Sequence, residues 1–180
     1  MRPKITGKRM TALLLLPWVG LHLAAQFSRW SAQTAESSAF YSLPMERLSD
    51  GSSVTLDNVA QGQPLLLVFW TTWCEYCKEE LATGSDLAAK LTAGPGPVNV
   101  LFVNVREHRA VVERAVGDAP LSDLVYLDLA GNVSGDLGIQ GYPSYVLIDR
   151  SGSPIWKSEG ITHDVAHEVA SRISSGLVDE

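Results

Sequence analysis

The sequence predicts an α/β domain: a central mixed, partly parallel sheet with helices on both faces, closed by an N-terminal antiparallel β-hairpin. Three observations carry that expectation. Short apolar runs at 65–70, 98–105 and 144–148 alternate with stretches of helical periodicity, the pattern of strands joined by crossover helices. Clusters of Gly and Pro, above all Gly94-Pro95-Gly96-Pro97, cut the chain between them. Upstream, Ser49-Asp50-Gly51-Ser52 separates two short strand-favouring segments and is a hairpin signal.

In order, residues 40–48 and 54–56 are the expected hairpin strands, and 57–62 a turn or helical turn. Leu65-Leu66-Leu67-Val68-Phe69-Trp70 is short, bulky and continuously apolar, as in a strand buried on both faces. A helix is expected from Cys74 to about Thr92, with a buried stripe of Leu81, Leu87, Ala88 and Leu91. Residues 98–105 form the second buried strand. Residues 110–116 form a helix stopped by Gly117, and 124–129 an extended segment. A helical turn follows at 132–137, then a third strand at 144–148 and, after the turn 149–153, another at 154–158. Thr162 is the expected N-cap of a last helix that buries Val165, Val169 and Ile173.

The first thirty residues are of another kind. Arg2, Lys4, Lys8 and Arg9 precede an uncharged, leucine-rich run from Met10 to Ala25, and no Asp or Glu occurs before Glu36. Residues 1–30 therefore read as a secretory signal peptide or an N-terminal membrane anchor. The run is shorter than a comfortable span of roughly 20 residues, and Pro17 and His22 interrupt it, which favours a signal. The lack of a small-x-small cleavage site, with Trp18 and Trp30 near the margins, tilts the balance to an anchor. Residues 31–38 form a linker and 39–180 a single domain, placed outside the cytoplasm under either reading. The part of the chain after Gln33 has nine basic residues against 20 acidic ones, about −11, which argues against nucleic acid or an anionic lipid surface as partner.

The chain has two cysteines, Cys74 and Cys77, at the junction of the central strand and the helix after it. A helix N-terminus offers free N–H groups and a partial positive charge that stabilise a thiolate. Cys77, one turn on, is placed to attack a mixed disulfide formed at Cys74. A structural staple would close a longer loop, since a two-residue loop restricts the unfolded chain little. Zinc needs about four ligands, and neither a further Cys nor a nearby His supplies them. The pair therefore proposes dithiol–disulfide exchange without cofactor or metal.

Trp73-Cys74-Glu75-Tyr76-Cys77 after Phe69-Trp70, with Gly141-Tyr142-Pro143-Ser144-Tyr145 and Leu147-Ile148-Asp149-Arg150-Ser151-Gly152 downstream, resembles the thioredoxin fold. More narrowly it resembles the TlpA/ResA-like thiol–disulfide oxidoreductases, exported and often membrane-tethered in bacteria, over about residues 39–175. The resemblance implies that Cys74 is the exposed attacking cysteine, Cys77 resolves, and Pro143 is cis, packs against the pair and leaves the backbone before it free to pair with an extended client. It matches Glu80 to an acidic residue able to move the resolving thiol's proton, a role thioredoxin itself gives to an acid on the central strand, where this chain has Val68. Trp73 is expected to be exposed beside Cys74, Tyr142 to line the client groove or to pack, and Trp70 to be core. Tyr76 and Ala82 stand where the family often has proline.

The resemblance further implies client proteins carrying disulfides or thiols, with apocytochrome c before haem attachment or a copper-site protein as examples. In an oxidising compartment the product disulfide is expected to be re-reduced by a membrane electron donor. An oxidase would run the same residues backwards. Thiolates also suit Cu(I), but copper carriers of this fold resemble a three-residue Cys spacing with a downstream His, and no His lies between His108 and His163. His108, His163 and His167 are read as surface residues.

Overall fold

The computed structural model describes residues 39–94 and 96–175. The signal or anchor expected at 1–30 and the linker at 31–38 lie outside the described residues. Among the described residues, no helix is long and apolar enough to cross a membrane.

Seven strands form one sheet: β1 (Met45–Arg47), β2 (Ser53–Val54), β3 (Leu65–Trp70), β4 (Asn99–Val105), β5 (Val125–Asp128), β6 (Ser144–Ile148) and β7 (Pro154–Glu159), in spatial order β2-β1-β5-β4-β3-β6-β7. β3 pairs parallel with β4, and β4 with β5, whereas β6 runs antiparallel to β3 and β7 antiparallel to β6. The hairpin closes the far edge, with Glu46 opposite Leu127. The helices are α1 (Leu56–Ala60), α2 (Glu75–Thr92), α3 (Arg109–Val116), α4 (Asn132–Asp136) and α5 (Val165–Ser174).

β3 is buried throughout, and its side chains alternate between two cores. Leu66, Val68 and Trp70 face a core that takes Ala88 and Leu91 from α2, Val112 and Val116 from α3, and Val165 and Val169 from α5. Leu65, Leu67 and Phe69 face the other, with Leu56 of α1 and Val133 of α4. Complete burial of a Leu or Phe side chain contributes about 1.5–3 kcal/mol, so this strand anchors both layers. α2 lies close on the sheet through Gly84, where an added Cβ would come within 2.6 Å of the Phe102 ring and 2.8 Å of Leu121. A helical glycine costs about 1 kcal/mol against alanine; here that cost permits the close approach.

Several expected elements are corrected. Residues 40–48 are not one strand: Ala39–Ser42 is a 3-10 turn closed by the Leu43 amide on the Phe40 carbonyl (3.2 Å), and β1 begins after Pro44, which lacks an amide hydrogen. The second hairpin strand stops at Val54, because Thr55 caps α1 in a capping box with Asn58. Leu124 belongs to a 3-10 segment, Pro120–Leu124, so β5 starts one residue later. The N-cap of α5 is Asp164, whose side chain accepts from the His167 amide at 3.1 Å. Thr162 is occupied elsewhere, its hydroxyl 2.8 Å from that of Ser158.

Candidate active site

β3 and β4 are parallel, so their carboxyl ends share one edge of the sheet. β6 is antiparallel, so its amino end meets them there, with Phe69 opposite Ser144 and Trp70 opposite Asn104. The loops 71–74, 105–108 and 141–143 therefore converge, although 70 residues separate Cys74 from Ser144. Sites in parallel sheets gather beyond the carboxyl ends of the strands for this reason.

Cys74 and Cys77 form a disulfide with their Cα atoms 5.3 Å apart. Cys74 is the N-cap of α2, and its sulfur accepts from the Cys77 amide at 3.2 Å. In the dithiol form the same amide and helix dipole face the Cys74 thiolate and stabilise it. The two sulfurs differ in access, though less than expected: Cys74 is not exposed but 6% accessible, tucked under the loop and helix start, and Cys77 is fully buried. Glu75, beside Cys74, pairs with Lys78 at 2.6 Å on the open helix surface, which partly offsets the negative charge it places near the sulfur.

Trp73 is 71% exposed and Tyr76 59%. The Trp73 ring meets Tyr142 edge to face, with centroids 5.7 Å apart. Tyr142 is half-buried; its phenol is pushed up, first by burial, with Asp128 and Glu107 adding and Arg106 opposing. The Tyr142–Pro143 peptide is cis. The Pro143 carbonyl accepts from the Gly160 amide (2.8 Å), and the Gly141 carbonyl from the Ser144 hydroxyl (2.6 Å), fixing the loop at both ends. Trp70 is core, as expected.

Glu80 is half-buried on α2, one turn past Cys77, beside a cavity of about 280 Å³. Its negative charge raises the proton affinity of the buried Tyr145 hydroxyl, after burial itself, and that hydroxyl has no hydrogen-bond partner. Of the residues the sequence points to, Cys74 and Cys77 are bonded to each other, Trp73 and Tyr142 are in ring contact, Pro143 follows Tyr142 through the cis bond, and Glu80 lies three residues past Cys77 on α2.

Glu107 was not foreseen. Its carboxylate accepts from the Thr72 amide (2.7 Å), the Thr72 hydroxyl (2.6 Å) and the Asn104 side-chain amide (2.8 Å), tying the loop before Cys74 to the end of β4. The one signal in the sequence is an acid just beyond a buried strand. Among the described residues, no group of three or more His, Cys, Asp or Glu is placed to hold a metal ion.

A mixed sheet of this topology, with two cysteines at the N-terminus of the helix after the central strand and a cis-proline loop opposite, defines a thiol–disulfide oxidoreductase of thioredoxin-like fold. A family model described as Redoxin matches residues 32–169, and the chain belongs to that family. Among similar proteins, the sporulation thiol-disulfide oxidoreductase A of Bacillus subtilis is 26% identical over 149 residues, 82% of this chain and 87% of that protein. The thiol-disulfide oxidoreductase ResA of Geobacillus thermodenitrificans is 27% identical over 149 residues, 83% of each chain. Among solved structures, a putative thiol:disulfide interchange protein DsbE from Chlorobium tepidum superposes with a TM-score of 0.63 at 23% identity, covering 75% of this chain and 92% of that one.

Proposed function

We propose that the protein reduces disulfides in client proteins outside the cytoplasm. The observation that carries the exchange chemistry is the asymmetry of the pair: Cys74 at the helix N-terminus beside exposed aromatics, Cys77 sealed beneath it. The Cys74 thiolate attacks one sulfur of a client disulfide, forming a mixed disulfide and expelling the other client sulfur as thiolate. The Cys77 thiol gives its proton to the Glu80 carboxylate, and its thiolate attacks the Cys74 sulfur. The Cys74–Cys77 disulfide forms, the client leaves as its second thiolate, and two electrons have passed to the client.

Trp73, Tyr142 and the cis Pro143 receive an extended client segment beside Cys74. The family resemblance supports clients such as apocytochrome c before haem attachment, and a membrane thiol donor that returns two electrons to the pair. The basic, then apolar, N-terminal residues support export, with a tether to the membrane. The reduction potential tests the direction. A value well below about −200 mV fits a reductase, whereas one near about −120 mV, the range of a dedicated oxidant, contradicts it.

A further inference from the structure

We propose that Tyr145 is a positioning residue for proton transfer at Cys77: its buried hydroxyl, unpaired in the disulfide form, turns to donate to the Glu80 carboxylate in the dithiol form. The inference rests on the reading of Glu80 given above. Tyr145 stands on β6 two residues after Pro143 and pairs across the sheet with Val68 of the central strand. It belongs to the same core as Cys74, Cys77, Leu66 and Trp70. The ring is fully buried and stacked on Trp156, centroids 6.4 Å apart, and Trp156 in turn carries the Arg172 guanidinium 5.0 Å above its face. So clamped, the ring cannot swing its hydroxyl to solvent.

That hydroxyl has no hydrogen-bond partner in the disulfide form. Buried polar groups are nearly always paired, and phenylalanine would fill the same space among apolar neighbours. The charged group that acts on it is Glu80. Burial raises the phenol's affinity for its proton, and Glu80 pushes the same way, so the hydroxyl stays protonated. A neutral hydroxyl serves both states of a carboxyl group: it donates to the carboxylate and, turned about its C–O bond, accepts from the acid. Val68 can do neither.

In the resolving step the proton passes from the Cys77 sulfur to Glu80, and Tyr145 keeps its own. The Cys77–Cys74 bond forms as the Cys74–client bond breaks, and the client leaves as thiolate. From Glu80 the proton reaches solvent through the adjoining cavity, whose charged walls are Asp86 and Lys90 of α2 and Asp164 at the start of α5.

The test is the reaction of the reduced protein with dithionitrobenzoate, which releases one chromophoric thiolate on attack by Cys74 and a second on resolution by Cys77. Tyr145→Phe leaves the first release unchanged and slows the second about fivefold near neutral pH, the loss of one hydrogen bond. It also moves the acidic limb of the second release to higher pH, with the unfolding temperature held. In a Glu80→Gln background, Tyr145→Phe adds nothing. 3-Fluorotyrosine at position 145, a stronger donor of the same shape, moves the limb the opposite way, a readout that packing alone would not give. Unchanged second release in Tyr145→Phe, or equal slowing with and without Glu80, overturns the inference while leaving Glu80 in place. A Glu80→Gln variant with normal second release overturns the Glu80 reading, and this inference with it.

Discussion

The rim and the floor of the site are built from opposite materials. Around Cys74 the rim is open and aromatic: Trp73, Tyr76 and half-buried Tyr142, with an ion pair on the helix surface. Beneath Cys77 the floor is closed, with Val68, Trp70 and Tyr145 fully buried or nearly so and Glu80 at the margin. Two sulfurs three residues apart thus differ in access, Cys74 just under the rim and Cys77 fully enclosed. A sulfur at a helix N-terminus, just under the surface beside exposed aromatics, can ionise and meet a partner. A buried one is penalised for ionising, since desolvation disfavours the thiolate, and needs a local proton acceptor. One helix turn therefore serves two steps with different requirements.

Substitutions sort along that division. The largest effect falls on the pair itself: Cys74→Ala abolishes disulfide exchange, measured as insulin reduction, whereas Cys77→Ala retains the first attack only. Next comes the strut between rim and floor. Glu107→Ala removes three charge-assisted hydrogen bonds and leaves the Thr72 loop unheld. A loss of about 2–3 kcal/mol in the denaturant midpoint is expected, together with slower attack by Cys74. On the rim, Trp73→Ala changes stability by less than about 0.5 kcal/mol because the ring is exposed. It nonetheless raises the client KM, and a floor residue does the reverse by altering resolution with KM unchanged. Equal effects of Trp73→Ala on both would dissolve the contrast.

The smallest effect lies at the hairpin, remote from both. Asp50 accepts from the Ser52 hydroxyl and amide and pairs with Arg47, which together hold its carboxyl down at about 2. Its folded-state value lies below the unfolded one of 3.8, so its contribution is present above pH 4 and is lost as pH falls toward 2. Asp50→Asn flattens that part of the pH–stability curve and leaves exchange activity untouched.

The rim was largely legible in the sequence and the floor was not. Cys74, Trp73 and the end of α2 announce themselves through local chemistry: a strand of six apolar residues, a cysteine at the helix start, a Gly-Pro stop. Tyr142 and Pro143 came from the family resemblance and lie where sheet topology puts them. Tyr145 and Glu107 depend on register. Nothing near Tyr145 in the chain says that it faces Val68, and Thr72 meets Glu107 across 35 residues. The wrong local expectations had competing neighbours of similar chemistry, as when Thr162 and Asp164 both suit an N-cap and Ser158 engages the first.

The most direct test of the central claim, attack by Cys74 at the rim and resolution by the enclosed Cys77, is trapping. Full-length Cys77→Ala protein is expressed in its native compartment and its covalent adducts are separated without reductant. The account predicts mixed disulfides through Cys74 to one or a few client proteins, reversed by dithiothreitol and lost when Cys74 is also replaced. Adducts that persist without Cys74, or a Cys77→Ala protein that captures no more than Cys74→Ala does, would contradict it.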